Sequence, residues 1–490
     1  MNSLARRSEP RLLVASLLFI ALVVAVVGSL GAPLITSVAT TFHVSLASAQ
    51  WTLTITLLSG AIATPVLGRL GAGPHRRGTI LATLAVVVTG SALTVLPLPF
   101  AWLLVGRAAQ GVGLGLTALM MGVARDHLPE ERGTATIALV SVASTIGIGV
   151  GYPLAGLLTD IGGVRAAYGL GVFVTAVAFL AALRSMPVPP EGRSARVDVP
   201  GALLLAGGLL LVLLLASETS LWNGHIGLAV SLAAIAVLLL CVWTAYERRA
   251  TTPLVDIRLA RHRPIAVANV VTLVGGVGIY LLLNLITRYA QTPRTTGYGL
   301  GLTTFVAGLV LVPFSLLGFV AGKFTPRLRE RIGAPMSLAG SAIVVIGAFV
   351  LFALSRSNVA ELLVAMAVLG FGVGSFSAAM PAVILAVTPK SETSSAMSFN
   401  QVVRSVGFSL GSAVGGLILA AGTDAGRLFP ADAAYATAAW IGVAAMAAAA
   451  MASVALTRKR SAGTTRPPLP VGAHPDEAAG MTRAASANIR

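Results

Sequence analysis

Long apolar runs recur from one end of the chain to the other, separated by short polar or basic segments. They fall at 12–38, 51–70, 79–98, 101–124, 134–158, 165–184, 200–217, 225–246, 265–287, 299–321, 334–354, 359–386, 396–420 and 433–456. None alternates with a period of two, and each is close to the roughly 20 residues that carry a helix across hydrocarbon at about 1.5 Å per residue. The pattern predicts an all-α integral membrane protein with fourteen transmembrane helices. The runs at 12–38 and 359–386 exceed the required length, which predicts tilt or a kink. Past the last run, the Pro-, Ala- and Gly-rich segment has no helical apolar pattern, and 457–490 is read as a disordered tail.

Composition agrees. The 490 residues are 56% hydrophobic and 10% charged, with a mean hydropathy of +0.88. Soluble domains carry about 25% charged residues. The opening "MNSLARRSEPR" leads into an apolar run longer than a signal-peptide core, so the first span is read as uncleaved. The single cysteine, Cys241, can form no internal disulfide and is read as core packing.

The net charge of +17 first suggests nucleic acid, but its distribution tells against that. The N-terminus, the even-numbered loops and the tail hold 27 of the 34 Lys and Arg residues, and the odd-numbered loops hold 5. This asymmetry follows the positive-inside rule and places both termini in the cytoplasm. Loops such as "RLGAGPHRR" and "KFTPRLRER" then face a cytoplasmic leaflet, and no nucleic-acid partner is needed.

The chain also repeats itself. Leu103, Leu104, Val105, Gly111, Gly113 and Gly115 recur 259 positions later at Leu362, Leu363, Val364, Gly370, Gly372 and Gly374. Pro129, Gly147, Gly151, Gly156 and Leu157 recur 260 positions later at Pro389, Gly407, Gly411, Gly416 and Leu417. Spans 4–5 thus match spans 12–13 in the same direction. Parallel halves related by an axis along the membrane normal mark a transporter, with its site between them near the midplane. The reading divides the chain into a cytoplasmic N-terminus (1–11), a six-helix bundle (12–184), a cytoplasmic loop (185–199), two extra helices (200–246), a linker (247–264), a second six-helix bundle (265–456) and the tail.

These residues resemble the major facilitator superfamily, in its fourteen-span drug:proton antiporter branch, over about 12–456. "LLVGRAAQGVGLG" is similar to the span 4 motif of that superfamily at Arg107, Gln110 and Gly111. "GIGVGYPLAGLL" resembles its antiporter motif at Gly147, Gly151, Pro153 and Gly156, and "SAQWTLTITLLSG" opens span 2 in the family manner at Gln50 and Trp51. "ERRATTPLVDIRL" resembles the linker of the fourteen-span branch. The resemblance implies a major facilitator fold of two six-helix bundles plus two inserted helices. It implies a cytoplasmic latch at Arg69, Arg76 and Arg77 with Asp126. Two departures stand out. In "GRLGAGPHRR", Ala72 replaces the expected aspartate and His75 the expected glycine. Nine residues before Pro33, where the family often carries an aspartate, stands Val24.

No acid falls in the middle of a span. Asp160, Glu218 and Glu361, at the outer margins, are the only acids placed to take a proton from outside. The two charges at hydrocarbon depth are Arg107 and Arg404, and such charges are costly unless they face a cavity or a partner. For Arg107 two readings stand: a cavity-facing coupling or substrate group, or a lock between helices through backbone carbonyls. Arg404 either serves the cavity or snorkels to the cytoplasm. A cavity without an acid favours a neutral or anionic amphiphile over a quaternary cation. On span 9, Asn269, Thr272, Gly276, Tyr280 and Asn284 share one helical face and form a candidate pocket stripe, as do Thr52, Thr56 and Ser59 on span 2. Phe371, Phe376, Met380, Met120 and Met121 are read mainly as packing. Gly147 with Gly151 and the bend at Pro153 are read as a gate.

Gly111, Gly113 and Gly115 lie inside a hydrocarbon-length run and lack the strand and helix N-terminus of a dinucleotide site. No Walker loop, paired metal ligands or nucleophile elbow occurs. The expectation is a non-enzyme without metal or cofactor: a monomeric secondary active exporter of a small amphiphile in a bacterial plasma membrane, with protons as a possible second partner. An importer, a uniporter or a ligand sensor of the same fold is the alternative.

Overall fold

The computed structural model describes residues 2–31, 33–44, 46–71, 73–187, 198–217, 221, 224–250, 263–386, 388, 393–423 and 429–458. Among them every regular element is helical. Among the described residues, eleven helices are long and apolar enough to cross a membrane by length and composition. The helix Ala334–Leu354 spans the run predicted at 334–354. The runs at 134–158 and 165–184 are two helices within Glu130–Ser185, separated by non-helical backbone at Gly162 and Gly163. Gly163 has φ of 70°, a left-handed value that glycine adopts without a Cβ clash, so the chain turns there. Glu218, the tail beyond residue 458 and most of the loops 185–199 and 247–264 lie outside the described residues.

Three runs differ in detail. The 12–38 run is not one kinked span: the helix Asn2–Ser29 (α1) stops, and a separate helix, Ile35–Phe42, follows the turn around Pro33. The 299–321 run begins as a loop, since Gly299 and Gly301 have positive φ; a short helix, Thr304–Leu309, precedes Val312–Ile332. The 101–124 run is helical over Phe100–Val112, tightens to a 3-10 turn at Gly113–Gly115, and resumes at Leu116–His127. Cys241 is exposed rather than in a core. Its helix, Ile226–Glu247, presents Val237, Leu238 and Val242 on the outside, which in a membrane is the lipid-facing surface.

The repeated glycines make equivalent contacts in the two halves. Small residues let helix backbones approach closely. Gly111 faces the Thr56 backbone and Gly370 that of Phe314, so span 4 lies on span 2 as span 12 lies on span 10. Gly113 meets Val87 of span 3 and Gly372 meets Val345 of span 11. Gly147 and Gly151 face α1 at Leu22 and Val26; Gly407 and Gly411 face span 9 at Leu273 and Val277. The sequence repeat is therefore a repeat of packing.

The halves meet along two seams. Gly149 and Gly156 of span 5 face Phe314, Ser315 and Phe305 of the second half, and Pro153 abuts Gly308. At the arginine-rich end, Leu119, Met120 and Val123 share a buried cluster with Met380, Val383, Ile384 and Met397. The helix Val199–Ser217 packs on both span 2 and span 13, through Leu205 and Leu209 against Ala61 and Val402. The first of the two extra helices therefore touches both halves.

Candidate functional site

A cavity of about 80 Å³, partly open to its surroundings, lies between the halves. Its first-half wall is formed by Val24, Ala25, Gly28, Leu53, Leu57 and Leu114, with hydroxyls from Ser29, Thr64, Thr117 and Ser144. The second half contributes Tyr280, Gln401, Arg404, Ser405 and Phe408. No carboxylate lines it among the described residues, and Val24 is part of the wall. The N-terminal wall is thus apolar with weak hydrogen-bonding groups, and the opposite wall is aromatic and cationic.

Arg107 is not on this cavity. It is completely buried within the first half. Its Nε donates to the Thr52 carbonyl at 3.1 Å. Its Nη1 donates to the Val27 carbonyl at 3.0 Å and to Gln110 Oε1 at 2.6 Å, and Nη2 donates to the Gly28 carbonyl at 3.3 Å. Gln110 passes the network on through Nε2 to Ser91 Oγ at 3.0 Å. Val27 and Gly28 belong to the last turn of α1, where carbonyls lack intrahelical partners and the helix dipole is negative. The guanidinium caps that helix end. Gly31 makes room for it: a Cβ there would lie 2.7 Å from Nη2. Of the two readings of Arg107, the geometry corresponds to the lock through backbone carbonyls.

Arg404 is the opposite case. It lies within Thr393–Ala421, lines the cavity and is only partly buried. Among the described residues its guanidinium meets no carboxylate and no hydrogen-bond acceptor; its partner is the ring of Phe408, 5.8 Å from Cζ to centroid. Phe408 stacks on Tyr280 at 5.1 Å with 25° between planes.

The span 9 stripe divides. Tyr280 reaches the cavity, while Asn269 and Thr272 are buried and accept from Asn400 Nδ2 at 3.0 and 2.8 Å. Gly276 packs on Gly407, and Asn284 is half-buried away from the cavity. Asn400 was not singled out from the sequence, although its spacing to Arg404 and Phe408 places all three on one helical face. Asn400→Leu leaves two buried acceptors facing a methyl group; we expect a loss of about 1–3 kcal/mol, read as a lower melting temperature of the purified protein. In span 2, Thr56 Oγ1 bonds to the Thr52 and Arg107 carbonyls, and Ser59 lies against Gly111. That stripe serves helix packing. Phe376, Met120, Met121 and Met380 are buried in the core.

At the arginine-rich end, Arg76 Nη1 pairs with Asp126 Oδ2 at 2.5 Å, and its Nε donates to the Gly71 carbonyl. Arg77 Nη2 donates to the Leu183 carbonyl at 3.0 Å, and Arg69 ends the helix Leu46–Leu70 close by. Sequence reasoning missed the neighbour of Asp126. Arg125 donates to Thr393 Oγ1 at 2.6 Å and to the Thr388 carbonyl at 2.9 Å, tying the halves together at this end. Arg125→Ala removes both bonds, each worth about 1.5–3 kcal/mol when charge-assisted. A cysteine placed at the cavity residue Ser144, in a Cys241→Ser background, is then expected to label at least tenfold faster with an impermeant maleimide from this side; an unchanged rate argues against a closure held by Arg125.

Of the outer acids, Asp160 is exposed. Glu361 is part of a helix cap: Asn358 Oδ1 accepts from the Glu361 N–H, and Glu361 accepts from the Ser357 N–H at 2.6 Å. Neither faces the cavity.

A helical chain with repeated halves and a cavity between them defines a membrane transporter, not an enzyme. The Major Facilitator Superfamily profile matches residues 17–355 and 291–485, and the chain belongs to that superfamily. It is 27% identical to "Multidrug resistance protein Stp" of Mycobacterium tuberculosis over 378 residues, covering 76% of this chain and 69% of that one. It is 23% identical to "Riboflavin transporter RibZ" of Clostridioides difficile over 387 residues, 77% of this chain and 81% of that one. Among solved structures, the human organic anion transporter MFSD10 superposes with a TM-score of 0.58 at 14% identity, covering 91% of this chain and 98% of that one. That likeness concerns the fold.

Proposed function

We propose that this chain is a secondary active exporter of a small amphiphile, neutral or anionic, working by alternating access across a bacterial plasma membrane. In this reading it is a fourteen-span monomer with both termini in the cytoplasm, built as the two bundles and inserted pair described above. The observation that carries it is the cavity between the halves: apolar, without an acid among the described residues, and closed at the arginine-rich end by Arg125 and the Met120–Met397 cluster. The multidrug-resistance name of the relative Stp supports efflux.

The test is a drug-sensitivity panel in an efflux-deficient host, followed by counterflow in proteoliposomes with and without a pH gradient. Protected growth and gradient-accelerated efflux support the proton-driven exporter. Counterflow indifferent to pH supports a uniporter or importer, a reading favoured by the acid-free cavity. Binding without flux indicates a sensor.

A further inference from the structure

The two intramembrane arginines pose opposite problems. Arg107 uses four of its five N–H donors on four acceptors. Arg404 faces the cavity, and among the described residues its guanidinium has only an aromatic ring against it. An aromatic face attracts a cation without neutralising it. A guanidinium removed from bulk water needs an anion and acceptors, or it carries a desolvation cost. Among the described residues, nothing else lining the cavity supplies the anion: the one other ionisable side chain is the Tyr280 phenol, and the amide and hydroxyl oxygens are neutral acceptors.

We propose that Arg404 anchors the anionic group of the transported compound, and that the cavity selects singly charged, flat, apolar organic anions such as aromatic carboxylates or sulfonates. The inference rests on the exporter reading only for the word transported; the binding site stands without it. A planar guanidinium matches a carboxylate or sulfonate with two parallel hydrogen bonds. One such cation, with no second one on the cavity among the described residues, suits a single charge. The Tyr280–Phe408 stack beside it gives a flat surface for a conjugated body. Val24, Leu53, Leu57 and Leu114 complete an apolar enclosure on the facing wall. A cationic ligand meets like charge there, with no carboxylate to offset it.

The experiment measures equilibrium binding to the full chain in phosphatidylcholine nanodiscs. The probes are 8-anilino-1-naphthalenesulfonate, its neutral desulfonated counterpart N-phenyl-1-naphthylamine, and ethidium. The wild type is expected to prefer the sulfonate over the neutral probe by about tenfold to a hundredfold, the range of one charge-assisted contact. Arg404→Gln should bring the ratio close to one, and an elution profile in detergent like that of the wild type shows that the variant is folded. Arg404→Lys should keep part of the preference. A wild-type ratio near one, a preference that survives Arg404→Gln, or tighter binding of ethidium overturns the proposal. Repeating the titration in phosphatidylglycerol nanodiscs separates a soluble anion from a lipid headgroup: strong competition by that lipid makes the headgroup the occupant and overturns it. Arg404-dependent binding without counterflow overturns the exporter reading and leaves this site in place.

Discussion

Arg107→Ala is expected to deplete folded protein rather than only slow transport. The substitution uncaps the last carbonyls of α1 and strands Gln110 Oε1 in a fully buried position. Each buried acceptor left unsatisfied costs about 1–3 kcal/mol. Arg107→Lys restores the charge but not the fork: the three carbonyls and the amide oxygen approach Nε, Nη1 and Nη2 from two helices and from Gln110 itself, and one ammonium cannot reproduce that geometry. Both variants should show reduced membrane yield and a lower melting temperature in detergent, with Gly31→Ala as a milder version because its Cβ displaces Nη2. A variant that melts like the wild type but no longer moves substrate assigns Arg107 to coupling or substrate instead.

Gly111→Val and Gly370→Val are expected to abolish transport to the same extent. In each case the new Cβ runs into the backbone of the facing helix, Thr56 in one half and Phe314 in the other. A backbone neighbour cannot rotate away, so the helix pair must separate. Overpacking of this kind costs about 1–3 kcal/mol or more. Gly340→Ala is the control, since nothing lies within 4 Å of the added Cβ. Melting temperature and counterflow, measured on all three, should pair the first two and leave the third like the wild type. Loss in one half alone argues that the repeat is not equivalent in packing. Gly151→Leu acts differently: it forces α1 away from span 5 at Val26 and Ser29, within one half, so the gate reading passes to Gly156 and Pro153 at the seam.

Much of the molecule was legible along the chain because it depends on local quantities. Run length and the absence of alternation specify helices, and the boundaries at Ala334 and Leu354 follow from them. Gly111, Gly113 and Gly115 recur at Gly370, Gly372 and Gly374, and the spacing alone announced two similar halves. The acid-poor interior was countable in the same way. Less legible were breaks hidden in apolar stretches. The turn after Ser29 escaped notice because its residues are as apolar as the helix before it. Periodicity does not register a residue in the left-handed region such as Gly163.

The roles of the arginines needed the folded chain. Both stand in apolar runs, and sequence offers the same two readings for each. Arg107 finds the carbonyls of Val27 and Gly28 about 80 positions earlier, and Arg404 finds an aromatic ring and a cavity. Likewise Asn269 and Thr272 share a face with Tyr280, yet Asn400 takes the first two into helix packing and leaves the third on the cavity. Hydrophobic spacing specifies which residues lie on one side of a helix. What stands opposite that side depends on long-range packing, and the satisfaction of a buried polar group depends on that partner.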